Sequence, residues 1–248
     1  MNVSLYQAAA AMNANARWQE LITENLAAGS VPGFRKREIS FSAVQAGLDP
    51  TAPNINGSNY VIPSASASIN FQAGETRATG NQMDFAIEGP GFFEVQLPNG
   101  SRAYTRDGEF HPNAQGQLVT KQGYTLLGDG GPLQLDPNSS APVTVSPTGD
   151  LSQGDQTRGR IRLVEFNQPQ SLTTIGDGYF LADRPGVQPV AATASAMRQG
   201  FLEGANTSPV AEMASLITAM RLFEANQKVL QAQDDRMGRV ITDLGGTS

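Results

Sequence analysis

The sequence predicts an α+β protein whose N- and C-terminal helices pair as a coiled-coil-like core, with a central all-β meander that forms a small barrel or sandwich. Apolar residues recur at steps of three and four near both chain ends, which is typical of amphipathic helices. Short alternating runs separated by turn residues fill the middle, and 26 glycines and 15 prolines favour strands and turns there. The predicted divisions are an N-terminal core helix with its exit turn (1–34), an extended arm with short β segments (35–80), a β-rich outer domain (81–204) and a C-terminal core helix (205–248).

The first helix is predicted over residues 3–28, which are rich in alanine and contain no glycine or proline. Alanine has the highest helix propensity, so this segment needs little help from tertiary contacts to favour a helix. Steps of three and four along it define a seam that would face a partner helix. The seam consists of Leu5, Ala8, Met12, Asn15, Gln19, Ile22 and Leu26.

The first helix is followed by an abrupt change of composition. Gly29, Pro32 and Gly33 are expected to end the helix, and Phe34 is expected to anchor the turn that follows. The basic run Arg35-Lys36-Arg37 is predicted to be the solvated start of the arm, because Glu38 closes it at once and the protein as a whole is acidic.

Short strands separated by turns are predicted in the middle of the chain. Phe93, Val95 and Leu97 alternate before the turn Pro98-Asn99-Gly100, which is a typical hairpin signal. Each further apolar run is bounded by Gly, Pro, Asn or Asp in the same way. Further strands are predicted at 103–106, 109–111, 117–120, 124–127, 142–145, 160–166, 178–182 and 199–202.

The last helix is predicted over residues 209–244, with Ser208 as its N-cap, Pro209 at its first position and Glu212 in its first turn. Gly245-Gly246 are expected to end it. A helix of about 36 residues extends roughly 54 Å, which exceeds a small domain, so part of its seam should stay free for other chains. The seam consists of Met213, Leu216, Met220, Phe223, Gln227, Leu230, Asp234, Met237, Ile241 and Leu244.

Four polar residues interrupt the two seams. Asn15 and Gln19 lie in the first seam, and Gln227 and Asp234 lie in the second. A polar residue at a core position of a helix pair lowers stability but fixes the register. These residues are therefore interpreted either as ordinary imperfections or as register control in a stacked assembly.

The composition excludes several classes of function. The net charge of −6 leaves no basic surplus for nucleic acid, and the lack of cysteine excludes disulfides and thiolate metal sites. No apolar run reaches the length of a membrane span, and the N-terminus lacks the basic region of a cleavable signal. We therefore expect no cofactor, no metal site and no membrane insertion.

Few residues of the sequence suggest catalysis. The glycines of Gly89-Pro90-Gly91 resemble half of a dinucleotide fingerprint, but they lead into a strand and predict a tight turn. His111, the only histidine, lies at a strand end and is expected at the surface. Asp183 with Glu165 could serve glycoside hydrolysis, although no spacing marks this pair. A secreted enzyme acting on cell-wall polysaccharide and a coiled-coil binding module thus remain alternatives.

Several motifs run from end to end of the chain and are weakest over 40–70 and 130–195. The central motif residues are Asn25, Leu26, Pro32, Gly33, Phe34, Thr79, Gly80, Asn81, Asp84, Ile87, Gly89, Gly91, Phe92 and Phe93. Further motif residues are 104–110, 116–119, 200–203, Asn206, Glu212-Met213 and 223–229. As a set, these motifs resemble those of the axial proteins of the bacterial flagellar rod and hook. Ala28 and Val31 depart from the pattern, since the family usually has Asn and Thr there.

This resemblance implies a structural subunit with no catalytic activity. Family members leave the cell through the flagellar type III export apparatus without a cleaved signal peptide, and they polymerise with other rod subunits into a tube across the periplasm. Their terminal helices pack in the inner core of that tube, and their β domain lies outside. A hook subunit is the less favoured member type, because it usually carries a further β domain.

Overall fold

The computed structural model describes residues 3–46 and 60–245 and divides them into two compact units. The helical unit comprises the described parts of Met1–Ala27, Arg37–Ile69 and Ser208–Ser248. The β-rich unit comprises Ala28–Lys36 and Asn70–Thr207. In the described ranges, no helix has both the length and the apolar character needed to cross a membrane.

The helical unit combines two helices with a two-stranded ribbon. Its elements are α1 (Val3–Ala27), β1 (Arg37–Ala46), β2 (Tyr60–Ile69) and α2 (Pro209–Gly245). Both helices lie where the sequence predicts them, and the main-chain N–H of Glu212 donates to the Ser208 carbonyl at the start of α2. β1 and β2 pair antiparallel over their whole length, from Arg37 opposite Ile69 to Ala46 opposite Tyr60.

The helix α1 contacts the β1–β2 ribbon as well as α2. Trp18 packs edge-on against Phe41 of β1, with 5.8 Å between the ring centroids. Near the end of α1, the buried Asn25 side chain donates to the Arg37 carbonyl and accepts from the Arg37 N–H, both at 2.8 Å. This two-way pairing mimics a strand neighbour and fastens α1 to the start of β1.

The inner stripe of α2 differs from the predicted seam. Apart from Ser215, its less exposed residues recur at alternating steps of four and three, as Glu212, Leu216, Ala219, Phe223, Asn226, Leu230 and Gln233. The prediction shares Leu216, Phe223 and Leu230 with this stripe but is one residue off at each alternate position. Met213 and Met220 are consequently 53% and 54% exposed.

The predicted coiled-coil-like pairing of the terminal helices is therefore wrong. Ala219 is fully buried, which indicates that a small side chain lies at the closest approach instead of Met220. α2 carries apolar residues on more than one face, so hydrophobic periodicity alone cannot decide which stripe packs. α1, moreover, divides its buried side between a helix and a ribbon, whereas a coiled coil would use one seam.

The β-rich unit begins with a 3-10 turn at Ala28–Ser30 and contains a second one at Pro169–Ser171. Most predicted strands are confirmed to within about two residues, a normal boundary error. The strands are β3 (Thr76–Ala78), β4 (Phe85–Glu88), β5 (Phe92–Gln96), β6 (Arg102–Thr105), β7 (Phe110–Pro112), β8 (Leu118–Thr120), β9 (Thr125–Gly128), β10 (Gly131–Pro132), β11 (Val143–Val145), β12 (Asp150–Gln153), β13 (Gln156–Arg160), β14 (Leu163–Phe166), β15 (Thr173–Gly176), β16 (Tyr179–Leu181), β17 (Pro189–Ala191), β18 (Ala196–Gln199) and β19 (Phe201–Glu203).

These strands form several sheets and not the single meander, barrel or sandwich that the sequence predicts. The largest sheet has ten strands, with the order β15-β16-β6-β5-β9-β8-β7 and with β10, β14 and β17 joined beside that path. β11, β12 and β13 form a second sheet, and the pairs β4–β18 and β3–β19 form two more. Local alternation identifies strands but does not encode their partners, which is why this part of the prediction fails.

The hydrophobic core of the β-rich unit is aromatic at its centre. Phe85, Phe93 and Phe110 are almost fully buried, and the rings of Phe93 and Phe110 meet edge-on at 5.2 Å. Leu118 and Leu126 of the neighbouring strands complete the same cluster. Phe85 of β4 and Phe93 of β5 belong to motif segments, so the core holds these segments in place.

Candidate functional site

Motif residues from distant parts of the sequence meet at a buried ion cluster in the β-rich unit. The cluster consists of Arg35, Arg106 and Glu203 and is called here the Glu203 cluster. Arg35 Nη1 lies 2.6 Å from Glu203 Oε1, an ion contact that is not aligned as a hydrogen bond. Arg106 Nη1 donates to Glu203 Oε2 at 3.2 Å. Because all three side chains are at least 96% buried, each charge depends on the others for its stabilisation.

Arg106 extends the cluster to the glycine turn before β5. Its Nη1 donates to the Ile87 carbonyl, its Nη2 donates to the Gly89 carbonyl, and its guanidinium lies 5.2 Å from the Phe92 ring centroid. Burial lowers the pKa of Arg106 to about 10, partly offset by Glu203, so the side chain stays charged at neutral pH. Arg106 thus ties the end of β6 to the loop between β4 and β5.

The exit turn after α1 is held against the same cluster. The Gly33 N–H donates to the Glu203 main-chain carbonyl at 2.7 Å, and Gly33 adopts φ +67°. A Cβ at Gly33 would lie 2.2 Å from the carbonyl carbon of Arg106, so only glycine fits. Phe34 is buried, as expected of a residue that anchors the turn.

The predicted solvation of the run Arg35-Lys36-Arg37 is wrong. Arg35 is buried in the Glu203 cluster, while Lys36 and Arg37 are only half-exposed. Arg37 Nη1 also donates to Glu24 at 2.9 Å within the helical unit. Sequence reasoning missed this because the carboxylate that pairs with Arg35 lies far along the chain, and no local pattern connects the two.

The motif around Asp84 closes a second junction. The Asp84 carboxylate accepts from the Thr79 hydroxyl at 2.6 Å and from the Asn81 amide at 3.0 Å. The Gly200 N–H donates to the Asp84 main-chain carbonyl at 2.8 Å, and Gly80, at φ +72°, turns the chain here. The motif therefore joins the segment before β4 to the link between β18 and β19.

The Gly89-Pro90-Gly91 segment forms a tight turn into a buried strand, as predicted. The Gly91 N–H donates to the Ser195 hydroxyl at 2.7 Å, and a Cβ at Gly91 would meet the same oxygen at that distance. Ile87, Phe92 and Phe93 on either side of the turn are all buried. The glycines serve close packing here.

Glu165 and Asp183, the carboxyl pair that could serve glycoside hydrolysis, both accept hydrogen bonds from neighbouring groups. Glu165 Oε1 accepts from the N–H groups of Thr193 and Ala194 and from the Ser195 hydroxyl. Asp183 accepts from the Thr173 hydroxyl at 2.7 Å. His111 is exposed on β7. In residues 3–46 and 60–245, no group of three His, Cys, Asp or Glu side chains could hold a metal ion.

Asp107, next to the Glu203 cluster, gives the fold a pH dependence. It is buried and accepts from the Glu109 N–H, and burial raises the pKa of its carboxyl from 3.8 to about 6. The folded state therefore binds this proton more tightly than the unfolded state does. This contribution is complete below about pH 4 and is lost as the pH rises through 6.

We expect Asp107→Asn to stabilise the protein at pH 7.5 by about 2 kcal/mol, with little effect at pH 4, because Asn needs no proton and still accepts from Glu109. Urea unfolding of the wild-type and variant proteins at both pH values measures the difference. An equal difference at pH 4 and pH 7.5 would contradict the role given to burial.

The outer face of α2 carries an unusual set of exposed apolar side chains. Val210, Met213, Ile217 and Met220, the α2 outer stripe, follow one another at steps of three, four and three and are 53–79% exposed. Further exposed apolar residues on α2 are Leu222, Val229, Met237 and Val240. Exposed large apolar side chains clustered on one helix mark an interaction surface.

The structure places the predicted assembly residues in different environments. In α1, Asn15 and Ile22 are buried and Met12, Gln19 and Leu26 are half-buried. In α2, Leu216, Phe223 and Leu230 are half-buried, whereas Met213, Met220, Gln227, Asp234 and Met237 are exposed. The side chains of Leu5, Ile241 and Leu244 lie outside the described residues.

Comparisons with known proteins point to one family. Residues 86–153 match the family model "Flagellar hook protein FlgE/F/G D1 domain", and residues 198–243 match "Flagellar basal body rod FlgEFG protein C-terminal". The chain is 33% identical to the flagellar basal-body rod protein FlgF of Caulobacter vibrioides over 91% of both chains. It is 31% identical to FlgF of Mesorhizobium japonicum over 100% of both. It is also 31% identical to FlgG of Borreliella burgdorferi, over 95% of this chain and 96% of that one.

Proposed function

Because the chain belongs to the flagellar basal-body rod protein family, it is a structural subunit of the basal-body rod, and we propose that it contacts neighbouring rod subunits through the α2 outer stripe. The exposure of Val210, Met213, Ile217 and Met220 carries this proposal. A second copy of this chain is the occupant, because rod proteins assemble with one another. A contact between two different faces of identical subunits builds a filament when it does not close into a ring.

The energetic scale supports such a contact. Fully burying an exposed apolar side chain of this size contributes roughly 1.5–3 kcal/mol, so four half-exposed side chains per contact supply several kcal/mol. Association of two protein chains costs about 4–15 kcal/mol in lost freedom, so one stripe alone gives a weak contact. In a polymer each subunit is held by more than one contact at once, which makes its attachment stable.

Asp substituted for both Ile217 and Met220 should abolish swimming when the variant is the only copy of the protein in the cell. Two buried carboxylates at the contact would have no partners, whereas the monomer keeps its stability because both side chains face solvent. Swimming in soft agar and thermal unfolding of the purified variant are the measurements.

The matched control adds the same two charges elsewhere, as Asn99→Asp with Asn138→Asp. Both control residues are exposed turn residues of the β-rich unit, where Asp is readily accommodated. The control should swim normally. Normal swimming of the α2 variant would show that the α2 outer stripe is not the contact surface.

Within the family, we propose the FlgF-type, proximal rod position. The length of the chain and the Pro32-Gly33-Phe34-Arg35 form favour it, and the match to the Mesorhizobium FlgF spans both chains completely. The alternative is a distal rod or hook-type subunit, since FlgG relatives reach similar identity. Expression of this chain in strains lacking either the FlgF-type or the FlgG-type rod protein distinguishes them, because only the matching strain should regain motility.

Delivery and lack of activity are further parts of the proposal. The flagellar export apparatus is the proposed carrier, and no signal peptide is removed on the way, as for the family it resembles. The mass of the protein recovered from basal bodies tests this, because an uncleaved chain keeps its N-terminus.

A cell-wall polysaccharide hydrolase is the alternative of another class. Release of sugar fragments from purified peptidoglycan by the protein would favour it.

A further inference from the structure

Asn206 joins three separate segments of the chain through one side chain. Its Oδ1 accepts from the Lys36 N–H at 2.6 Å, and its Nδ2 donates to the carbonyls of Asn70 and Gln72, each at 2.8 Å. Its own N–H donates to the Phe34 carbonyl at 3.2 Å. We call Lys36, Asn70, Gln72 and Asn206 the exit junction.

The exit junction lies where the chain passes the boundary of the β-rich unit. Lys36 directly precedes β1, Asn70 directly follows β2, and Asn206 lies just before α2 begins at Pro209. The Asn70 N–H donates to the Lys36 carbonyl at 2.9 Å, which closes the junction. Three of the chain's four passages across that boundary therefore meet within the reach of one side chain.

The fourth passage, the exit turn after α1, is linked to the same place through Glu203. The Gly33 N–H donates to the Glu203 main-chain carbonyl, and Arg35 pairs with the Glu203 carboxylate. The Gly74 N–H donates to that carboxylate as well, at 2.8 Å. Glu203 and Asn206, which lie shortly before α2, therefore hold the chain next to all four passages, and these contacts all lie within the β-rich unit.

Only a carboxamide satisfies the three side-chain bonds at Asn206. The position requires one acceptor facing an N–H and one group that donates two protons to carbonyls. An Asp side chain keeps the acceptor but places a second oxygen against the two carbonyls. A Leu side chain of similar size offers neither function.

We infer that Asn206 is a positioning residue, which fixes the spacing at which the chain leaves the β-rich unit, and that rod assembly requires this spacing. This inference rests on the proposed function. The bonds of Asn206 join main-chain atoms outside the aromatic core, so their loss loosens the passages and leaves the sheets folded. A subunit with loosened passages folds and is delivered, but it does not present its terminal segments at a defined spacing.

Hydrogen exchange on the purified full-length protein measures the local effect. In Asn206→Leu, the Lys36 amide should exchange about tenfold faster or more, because it loses its acceptor. In Asn206→Asp, the same amide should stay protected, while the segment around Asn70 and Gln72 exchanges faster. The amides of Phe93 and Val95 in the core should keep the wild-type rate in both variants.

Asn99→Leu is the matched control, because Asn99 is an exposed turn residue whose side chain accepts from the Ser101 N–H at a hairpin. Both Asn206 variants should fail to support swimming, and the control should support it. Equal protection of Lys36 in the Leu variant and the wild type overturns the inference. So does loss of protection with normal swimming, or an equal acceleration of the core amides.

The failure of this inference can be told from failure of the proposed function. If a strain that lacks this protein altogether still swims, the rod function itself is wrong. If that strain does not swim but the Asn206 variants restore swimming, the protein is needed for the rod and Asn206 is not a positioning residue.

Discussion

Replacing Glu203 by Gln is expected to lower the melting temperature of the β-rich unit by about 10 °C. The carboxylate lies between Arg35 and Arg106, and it is as inaccessible to water as they are. Removing one partner of a buried ion pair typically costs about 3–5 kcal/mol, because the remaining charges stay buried without compensation. In a unit of this size, each kcal/mol shifts the melting temperature by about 2–4 °C.

The matched control for this change is Glu88→Gln, which makes the same chemical substitution at the surface. Glu88 pairs with Arg198 at 2.9 Å, but both side chains are about half-exposed. Such surface pairs contribute about 0–1 kcal/mol, so the control should melt within about 3 °C of the wild type. Differential scanning calorimetry of the three proteins measures both shifts, and equal shifts would refute the importance of the buried cluster.

Replacing Gly108 by Ala is expected to prevent the β-rich unit from folding. A Cβ at this position would lie 1.6 Å from the carbonyl oxygen of Phe85, which is backbone and cannot rotate away. The Phe85 N–H also donates to the Gly108 carbonyl at 3.0 Å, so the two segments cannot separate without losing a bond. Phe85 is fully buried in the aromatic core. We therefore expect a loss above about 5 kcal/mol, which removes all the stability of a domain at the lower end of the usual range of about 5–15 kcal/mol.

Gly130→Ala provides the comparison, because nothing lies within 4 Å of a Cβ built there. This substitution should be neutral or slightly stabilising, since it reduces the freedom of the unfolded chain. Near-ultraviolet circular dichroism and the presence of a cooperative melting transition distinguish the two variants. A cooperative Gly108→Ala protein with native near-ultraviolet signals would show that the close approach to Phe85 can relax.

Elements with a local signal could be predicted from the sequence. The start of α2 follows from Ser208 and Pro209, and the hairpin between β5 and β6 follows from alternation around Asn99-Gly100. The pairing of strands could not be predicted. β4 bonds to β18 and β3 bonds to β19, and these contacts depend on long-range packing that leaves no local pattern.

The packed face of α2 shows a different limit of local reasoning. Hydrophobic steps favour Met220, yet the adjacent Ala219 is the buried residue and Met220 is exposed. Large apolar side chains mark a face that avoids water, but they do not say whether the partner belongs to the same chain. A subunit built to assemble carries apolar residues on an outer face as well. The apolar residues of its sequence therefore predict more helix packing within the chain than the fold contains.

The buried ions and amides were the hardest to foresee. Arg35 looks like part of an exposed basic run, and only Glu203 in the folded chain makes its burial possible. Asn206 carries no sequence signal beyond its place in a family motif, and its role depends on carbonyls at Asn70 and Gln72. Both cases need a partner that lies far away in the sequence.

The proposed contact of the α2 outer stripe with a second copy of this chain can be detected by photo-crosslinking in basal bodies. A photoreactive amino acid at Ile217, which is 54% exposed, would be activated in isolated basal bodies, and mass spectrometry would identify the linked peptides. We expect a cross-linked product of twice the mass of the chain, with position 217 linked to a terminal helix of a second copy. Products no larger than one chain, or links only to a different rod subunit, would contradict the contact.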